Sequence, residues 1–271
     1  MDKIKISDID FNSLKKLSSQ GSLATVYKSG DECIKIFKSM ENYNKEALYN
    51  KLTAMDGIKI DGVLMPSTLI MEGFHLRGYI MPYFPDSMNL NDYFCISKSV
   101  ESAEILAAIK KASLILRKIH DEDIICQDLS FDNILINRDG DIVFCDIDGC
   151  HYKYHYSDCI STLLRDYMVK YRHEKIIVSE NLDRLSMMLS MVYLMYFRKL
   201  QILSNKRYNY LADNLKSLQS ARKYVDALKD KYGPIPDIPY LDEIIDDSDE
   251  FLIDRSKQVN LAQRLYAKYF H

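Results

Sequence analysis

Ile124-Ile125-Cys126-Gln127-Asp128-Leu129-Ser130-Phe131-Asp132-Asn133-Ile134-Leu135-Ile136-Asn137-Arg138-Asp139-Gly140-Asp141-Ile142-Val143-Phe144-Cys145-Asp146-Ile147-Asp148-Gly149 is the stretch around which the chain is organised. Ile134-Leu135-Ile136 and Ile142 to Cys145 read as two short strands, and the Asp139-Gly140 pair between them is a strong hairpin signal. The hairpin brings Asn133, just before its first strand, near Asp146, at the end of its second. An amide oxygen and a carboxylate are hard donors that suit Mg²⁺. Asp128, on the loop entering the hairpin, is placed to take a proton from an incoming nucleophile. An acidic turn beside a core hairpin accounts for the same residues, so the stretch alone leaves two readings open.

The order of these residues resembles the protein-kinase catalytic loop, H-R-D-L-x-x-x-N followed by D-F-G. Cys126 to Asn133 stands where that loop would be, and Asp146-Ile147-Asp148 stands for D-F-G, as in divergent bacterial kinases with D-x-D. The resemblance implies an α+β, bilobal protein-kinase-like fold over residues 1–271. A small β-rich N-lobe would span residues 1–84 and a larger helical C-lobe residues 85–271. Asp128 would be the catalytic base, Asn133 and Asp146 the Mg²⁺ ligands, and Asp148 an extra ligand or a supporting carboxylate.

Upstream, alternation around Ala24 to Lys28 and Cys33 to Phe37 describes a hairpin closed at Ser29-Gly30-Asp31, with a further strand at Leu14 to Ser18. The family's phosphate loop, G-x-G-x-x-G-x-V, falls on Ser19, Gly21, Ala24 and Val26, so one glycine of three is present. Lys35 lies between Ile34 and Ile36, where a lysine either faces solvent or is a functional charge. The resemblance makes it the lysine that holds the α- and β-phosphates of ATP, with Cys33 near the adenine. Its orienting glutamate would be Glu46, on a helical segment from Tyr43 to Leu52, or failing that Glu41. Leu69 to Glu72 and Arg77 to Met81 are strand candidates. Gly78 to Pro85 resembles the strand-to-hinge passage, with Met81 as gatekeeper. The Pro82 carbonyl and the Phe84 N–H would be free for adenine, and Leu135 completes the cofactor-binding set. Residues 1–10 read as an entry segment in which Ile4, Ile6 and Ile9 pack on the lobe surface.

Downstream, Glu101 to His120 repeats apolar residues at helical spacing, and Asp183 to Phe197 is apolar nearly all round, which predicts a buried helix. Asp183 matches the aspartate that bonds the catalytic-loop backbone in the family, and also suits a plain helix cap. Tyr167 to Tyr171 stands where A-P-E is expected, without its Pro or Glu. Cys150, His151, His155 and Cys159 have the spacing of a metal site if helical, although packed or exposed side chains are the better reading. Gln127 replaces the loop arginine that pairs with an activating phosphate, so activity independent of activation-segment phosphorylation is expected. Ser130 replaces the lysine of Ser/Thr kinases.

Composition excludes several classes. With 271 residues, 47% hydrophobic and 28% charged, the chain is an ordinary globular one. Its net charge of −3 provides no field for nucleic acid or membrane. Six scattered cysteines without C-x-x-C, and no secretory signal, predict a reduced, cytoplasmic protein. The run Met187 to Phe197 is too short to span a bilayer. The expected activity is transfer of the ATP γ-phosphate to a Ser/Thr hydroxyl of a protein, with Mg²⁺. A small-molecule kinase of the aminoglycoside or choline kinase type, and a nucleotide-binding pseudokinase acting as an interaction module, are the alternatives.

Overall fold

The chain reverses at Gly30-Asp31, which yields the antiparallel pair β3 (Ala24–Ser29) and β4 (Glu32–Phe37), with Cys33, Ile34 and Lys35 of β4 all buried. The computed structural model describes residues 1–18, 24–38, 45–96, 102–155, 179–188, 190–191 and 238–245. Over these the protein is mixed α+β, with a six-stranded sheet at its N-terminal end. The other strands are β1 (Asp2–Lys5), β2 (Lys15–Ser18), β5 (Thr68–Glu72) and β6 (His75–Pro82), in the order β1-β5-β6-β4-β3-β2. All neighbours are antiparallel except β1 with β5. The entry segment is thus partly a strand: Ile4, Ile6 and Ile9 are half-buried as expected, but residues 2–5 add an edge.

One close approach sets the lysine strand. Gly78 on β6 lies so near β4 that a Cβ there would meet the Lys35 carbonyl oxygen at 2.0 Å. Only glycine permits that spacing. The register pairs Lys35 with Tyr79 and Cys33 with Met81, so these side chains share a face. Helix α1 (Lys45–Ala54) buries Leu48 and Leu52 in the same apolar cluster as Cys33, Phe37, Leu69, Tyr79 and Met81.

The chain then crosses to the second half. Leu64 N–H donates to the Phe144 carbonyl (2.8 Å) and Phe144 N–H to the Gly62 carbonyl (2.8 Å), which ties the segment after α1 to the central hairpin. That hairpin is β9 (Ile134–Ile136) with β10 (Ile142–Phe144), extended by a strand not anticipated from sequence, β7 (Met88–Asn89). Its turn is closed by Asn137, whose Oδ1 accepts from Asp139 N–H (3.0 Å) and Asp141 N–H (2.8 Å), with Gly140 at φ +76°. Helix α2 (Leu90–Ile96) follows β7, and α3 (Ser102–Asp121) buries Ile105, Leu106, Ile109, Leu116 and Ile119. Each such side chain contributes roughly 1.5–3 kcal/mol of burial.

A two-stranded ribbon, β8 (Ile124–Ile125) with β11 (His151–Tyr152), brackets the stretch between them. Residues 180–188 are helical, and the segment 238–245 docks on α3 through Asp242, which accepts from Ser113 Oγ (2.6 Å) and Arg117 Nε (3.0 Å). Among the described residues, most buried apolar side chains fall into one cluster on the N-terminal sheet and another around α3 and the hairpin. Among the described residues no helix is long and apolar enough to cross a membrane. Ser19, Gly21, Glu41, Tyr167 to Tyr171, Cys159 and the later part of the helix expected from Asp183 lie outside the described residues.

Candidate active site

The 126–133 loop is shaped by one buried carboxylate. Asp183, from the helical segment 180–188, accepts the backbone N–H groups of Cys126 (2.6 Å) and Gln127 (2.9 Å). His120 Nε2, at the end of α3, lies 3.1 Å from the same carboxylate. Two peptide donors drawn to one acceptor force a tight bend, and Gln127 takes φ +53°. Asp146 is likewise left-handed, at φ +60°. A non-glycine residue so placed costs about 1–3 kcal/mol, a strain that gathers at functional sites. Gln127 is buried, and its Oε1 has no hydrogen-bond partner among the described residues.

Asn133 is fixed by its own amide. Its Nδ2 donates to the Asp128 carbonyl (2.8 Å), and its carbonyl accepts from Cys145 N–H (3.0 Å), just before Asp146. The sequence expectation that Asn133 sits beside Asp146 holds. Asp128, Asn133 and Asp146 line one recess with Cys126, Leu129, Phe144, Cys145, Ile147 and Cys150. The bond from Nδ2 engages the Asn133 amide nitrogen, so its Oδ1 is the atom able to act as a ligand, and the Asp146 side chain is 44% exposed. An amide oxygen and a carboxylate are the donor types that suit a small hard cation such as Mg²⁺.

Lys35 approaches Asp146, which lines this recess, from the sheet. Its Nζ lies 2.7 Å from Asp148 Oδ1 and 3.0 Å from Asp146 Oδ1, with the lysine side chain 7% exposed. Tyr79 Oη donates to the same Asp148 Oδ1 at 2.7 Å. Burial works to lower the Lys35 pKa, but Asp148, Tyr79 and Asp146 outweigh it and hold the amine well above the ordinary lysine value. Burial works to raise the Asp148 pKa, and the Lys35 ammonium overrides it, so the carboxyl stays below its usual range. Burial, then the neighbouring Asp148, pushes the Tyr79 phenol well up, so it stays a donor.

Glu46 is the expectation that the geometry corrects. It sits exposed in the first turn of α1, and the carboxylates on Lys35 come from the 146–148 turn instead. The charged side chain that α1 does bury is Lys51, whose Nζ donates to the Cys150 carbonyl at 2.6 Å. No local sequence pattern marks Tyr79 or Lys51. Tyr79 becomes visible only once the β4–β6 register pairs it with Lys35, and Lys51 breaks an apolar face, a pattern that ordinarily means exposure.

Six of the residues expected around adenine lie in or against one apolar cluster. Cys33 and Met81 are buried in the N-terminal cluster, and Ala24, Val26, Phe84 and Leu135 pack against it half-buried. Pro82 is exposed at the end of β6. The metal reading of Cys150, His151 and His155 falls because His151-Tyr152 is a strand, which removes the helical face. Cys150 packs instead as a core thiol, 3.9 Å from Met55 Sδ, and burial pushes it up to about 12. No protein-family model matches the chain, and no curated protein matches it at a significant level.

Proposed function

We propose that this chain is an ATP-dependent phosphotransferase with a bilobal kinase-like fold, a protein kinase acting on Ser/Thr hydroxyls. The observation that carries the reading is the meeting of Lys35, from the sheet, with Asp146, which lines one recess with Asn133 and Asp128. A cation, two metal-binding oxygens and a loop carboxylate in one place are the parts that phosphoryl transfer requires.

In this reading the N-terminal cluster of Ala24, Val26, Cys33, Met81, Phe84 and Leu135 takes adenine, and Lys35 takes the α/β-phosphates. Asn133 and Asp146 would hold Mg²⁺, which supplies neutralisation of phosphate charge. Asp128 orients the acceptor hydroxyl and receives its proton, with its backbone held by Asn133 Nδ2 and the loop held by Asp183. Most of the rate then comes from positioning and charge.

The test is transfer from γ-labelled ATP with Mg²⁺ to protein and small-alcohol acceptors, beside the ATP-induced rise in melting temperature. Asp128→Asn should lose about a hundred- to ten-thousandfold in transfer while keeping the thermal shift. Transfer to small alcohols alone would move the acceptor to the small-molecule class. No thermal shift at millimolar ATP, with no transfer, would overturn the reading.

A further inference from the structure

Resting on that reading, we propose that Asp148 and Tyr79 orient Lys35 toward the nucleotide phosphates, with Asp148 a positioning residue rather than a metal ligand. The two aspartates of Asp146-Ile147-Asp148 both reach the Lys35 ammonium but differ in exposure. Asp146 is 44% exposed and lines the recess with Asp128 and Asn133. The Asp148 side chain is 8% exposed, does not line that recess, and receives both Lys35 and Tyr79 on one oxygen. That oxygen is engaged by two buried donors, which ties the carboxylate to Lys35 and Tyr79.

The Lys35–Asp148–Tyr79 group is built by the sheet. Lys35 and Tyr79 are direct partners in the β4–β6 register, and Gly78 lets the two strands close beside them. The short 146–149 turn, closed by Gly149 N–H on the Asp146 carbonyl (3.2 Å), carries Asp148 beneath both. None of the three comes from α1, whose Glu46 is exposed. Of the two contacts on Lys35, the one to Asp146 is the longer and the more open. Phosphate oxygens entering the recess can displace it, while the buried bond to Asp148 keeps the ammonium aimed. The lysine is therefore preset without a helix having to swing in.

Calorimetric titration of ATP, in EDTA and again with Mg²⁺, separates the possibilities. In EDTA, Asp148→Asn should weaken ATP about ten- to a hundredfold, as Lys35→Met does, since each removes a charge-assisted contact. The double variant should bind within about twofold of Lys35→Met alone, because Asp148 acts only through Lys35. Tyr79→Phe should weaken ATP about three- to tenfold and have no further effect in the Lys35→Met background. Asp146→Asn should act mainly when Mg²⁺ is present. Additive losses in the double variant, or a loss with Asp148→Asn confined to the Mg²⁺ titration, overturn the inference. Should Asp148→Asn fail to fold, Tyr79→Phe decides by the same additivity. Wild-type protein that binds no ATP overturns the functional reading itself, whereas ATP binding that needs Lys35 but neither Asp148 nor Tyr79 overturns this inference alone.

Discussion

Strand β4 and helix α1 each bury a lysine against the same turn, and they hold it in different ways. Lys35 ends on two carboxylates and shares one of them with a tyrosine hydroxyl. Lys51 ends on a peptide carbonyl, that of Cys150. The strand is locked by β3 on one side and β6 on the other, so its lysine arrives at a fixed point. The helix is attached to the sheet by few apolar residues, Leu48 and Leu52 among them, and its lysine works by reach. A charge taken out of water needs a counter-charge, and Asp148 lies within the field of both lysines, with Lys35 the stronger. The difference assigns charge compensation to the strand and mechanical attachment to the helix.

Breaking the strand's arrangement should cost the most. Lys35→Met leaves the buried Asp148 without its closest cation, a loss of about 3–5 kcal/mol, and Asp148→Asn leaves Lys35 with only its more open carboxylate, Asp146. The double substitution Lys35→Met/Asp148→Asn should cost clearly less than the two singles added together, because no orphan charge remains. Urea denaturation of the four proteins measures this. Additive losses would mean that the pair is not a unit.

The same pair has a defined pH signature. Asp148 has a depressed pKa in the fold, so its contribution is present above the unfolded value, about 3.9, and is lost as pH falls through the folded value. Lys35 has a raised pKa, so its contribution is complete below the unfolded value, about 10.4, and is lost as pH rises through the folded value. The stability gap between wild type and Asp148→Asn should therefore stay level from about pH 5 to pH 8 and close only below about pH 4. A gap that shrinks between pH 5 and pH 7 would show that Asp148 is not held ionised.

Breaking the helix's arrangement should cost less. Lys51→Met removes a charged donor and leaves the Cys150 carbonyl short of one bond, worth about 1–3 kcal/mol, but it strands no ion. A loss equal to that of Lys35→Met would erase the distinction between the two elements.

What could be read from sequence follows from how local each signal is. The Asn137–Gly140 turn, the alternation of residues 24–37 and the stripe of α3 each depend on neighbours a few positions apart, and their elements stand where expected. The loop signature put Asp128, Asn133 and Asp146 together for the same reason. The short strands β1, β7, β8 and β11 have no tight-turn partner beside them to mark them, and they exist through pairing with distant partners. The partner of Lys35 is a tertiary fact of this kind. Glu46 lies eleven positions away and Asp148 more than a hundred, yet the chain crossing at Gly62 to Leu64 brings only the second to the lysine.

Glu46 itself offers the finest test of the comparison. It is exposed in the first turn of α1, where a negative side chain gains about 0.3–1 kcal/mol from the helix dipole and nothing from Lys35. Glu46→Gln should thus lower stability by no more than about 1 kcal/mol. The loss should fade as salt is raised, because an exposed charge at a helix end is screened. The loss in Asp148→Asn should hardly respond to salt, since both members of that pair lie inside. Urea midpoints at low and high salt for the two variants place each carboxylate on one side of this divide. A salt-resistant loss of several kcal/mol in Glu46→Gln would return the lysine's partner to the helix and undo the contrast between strand and helix.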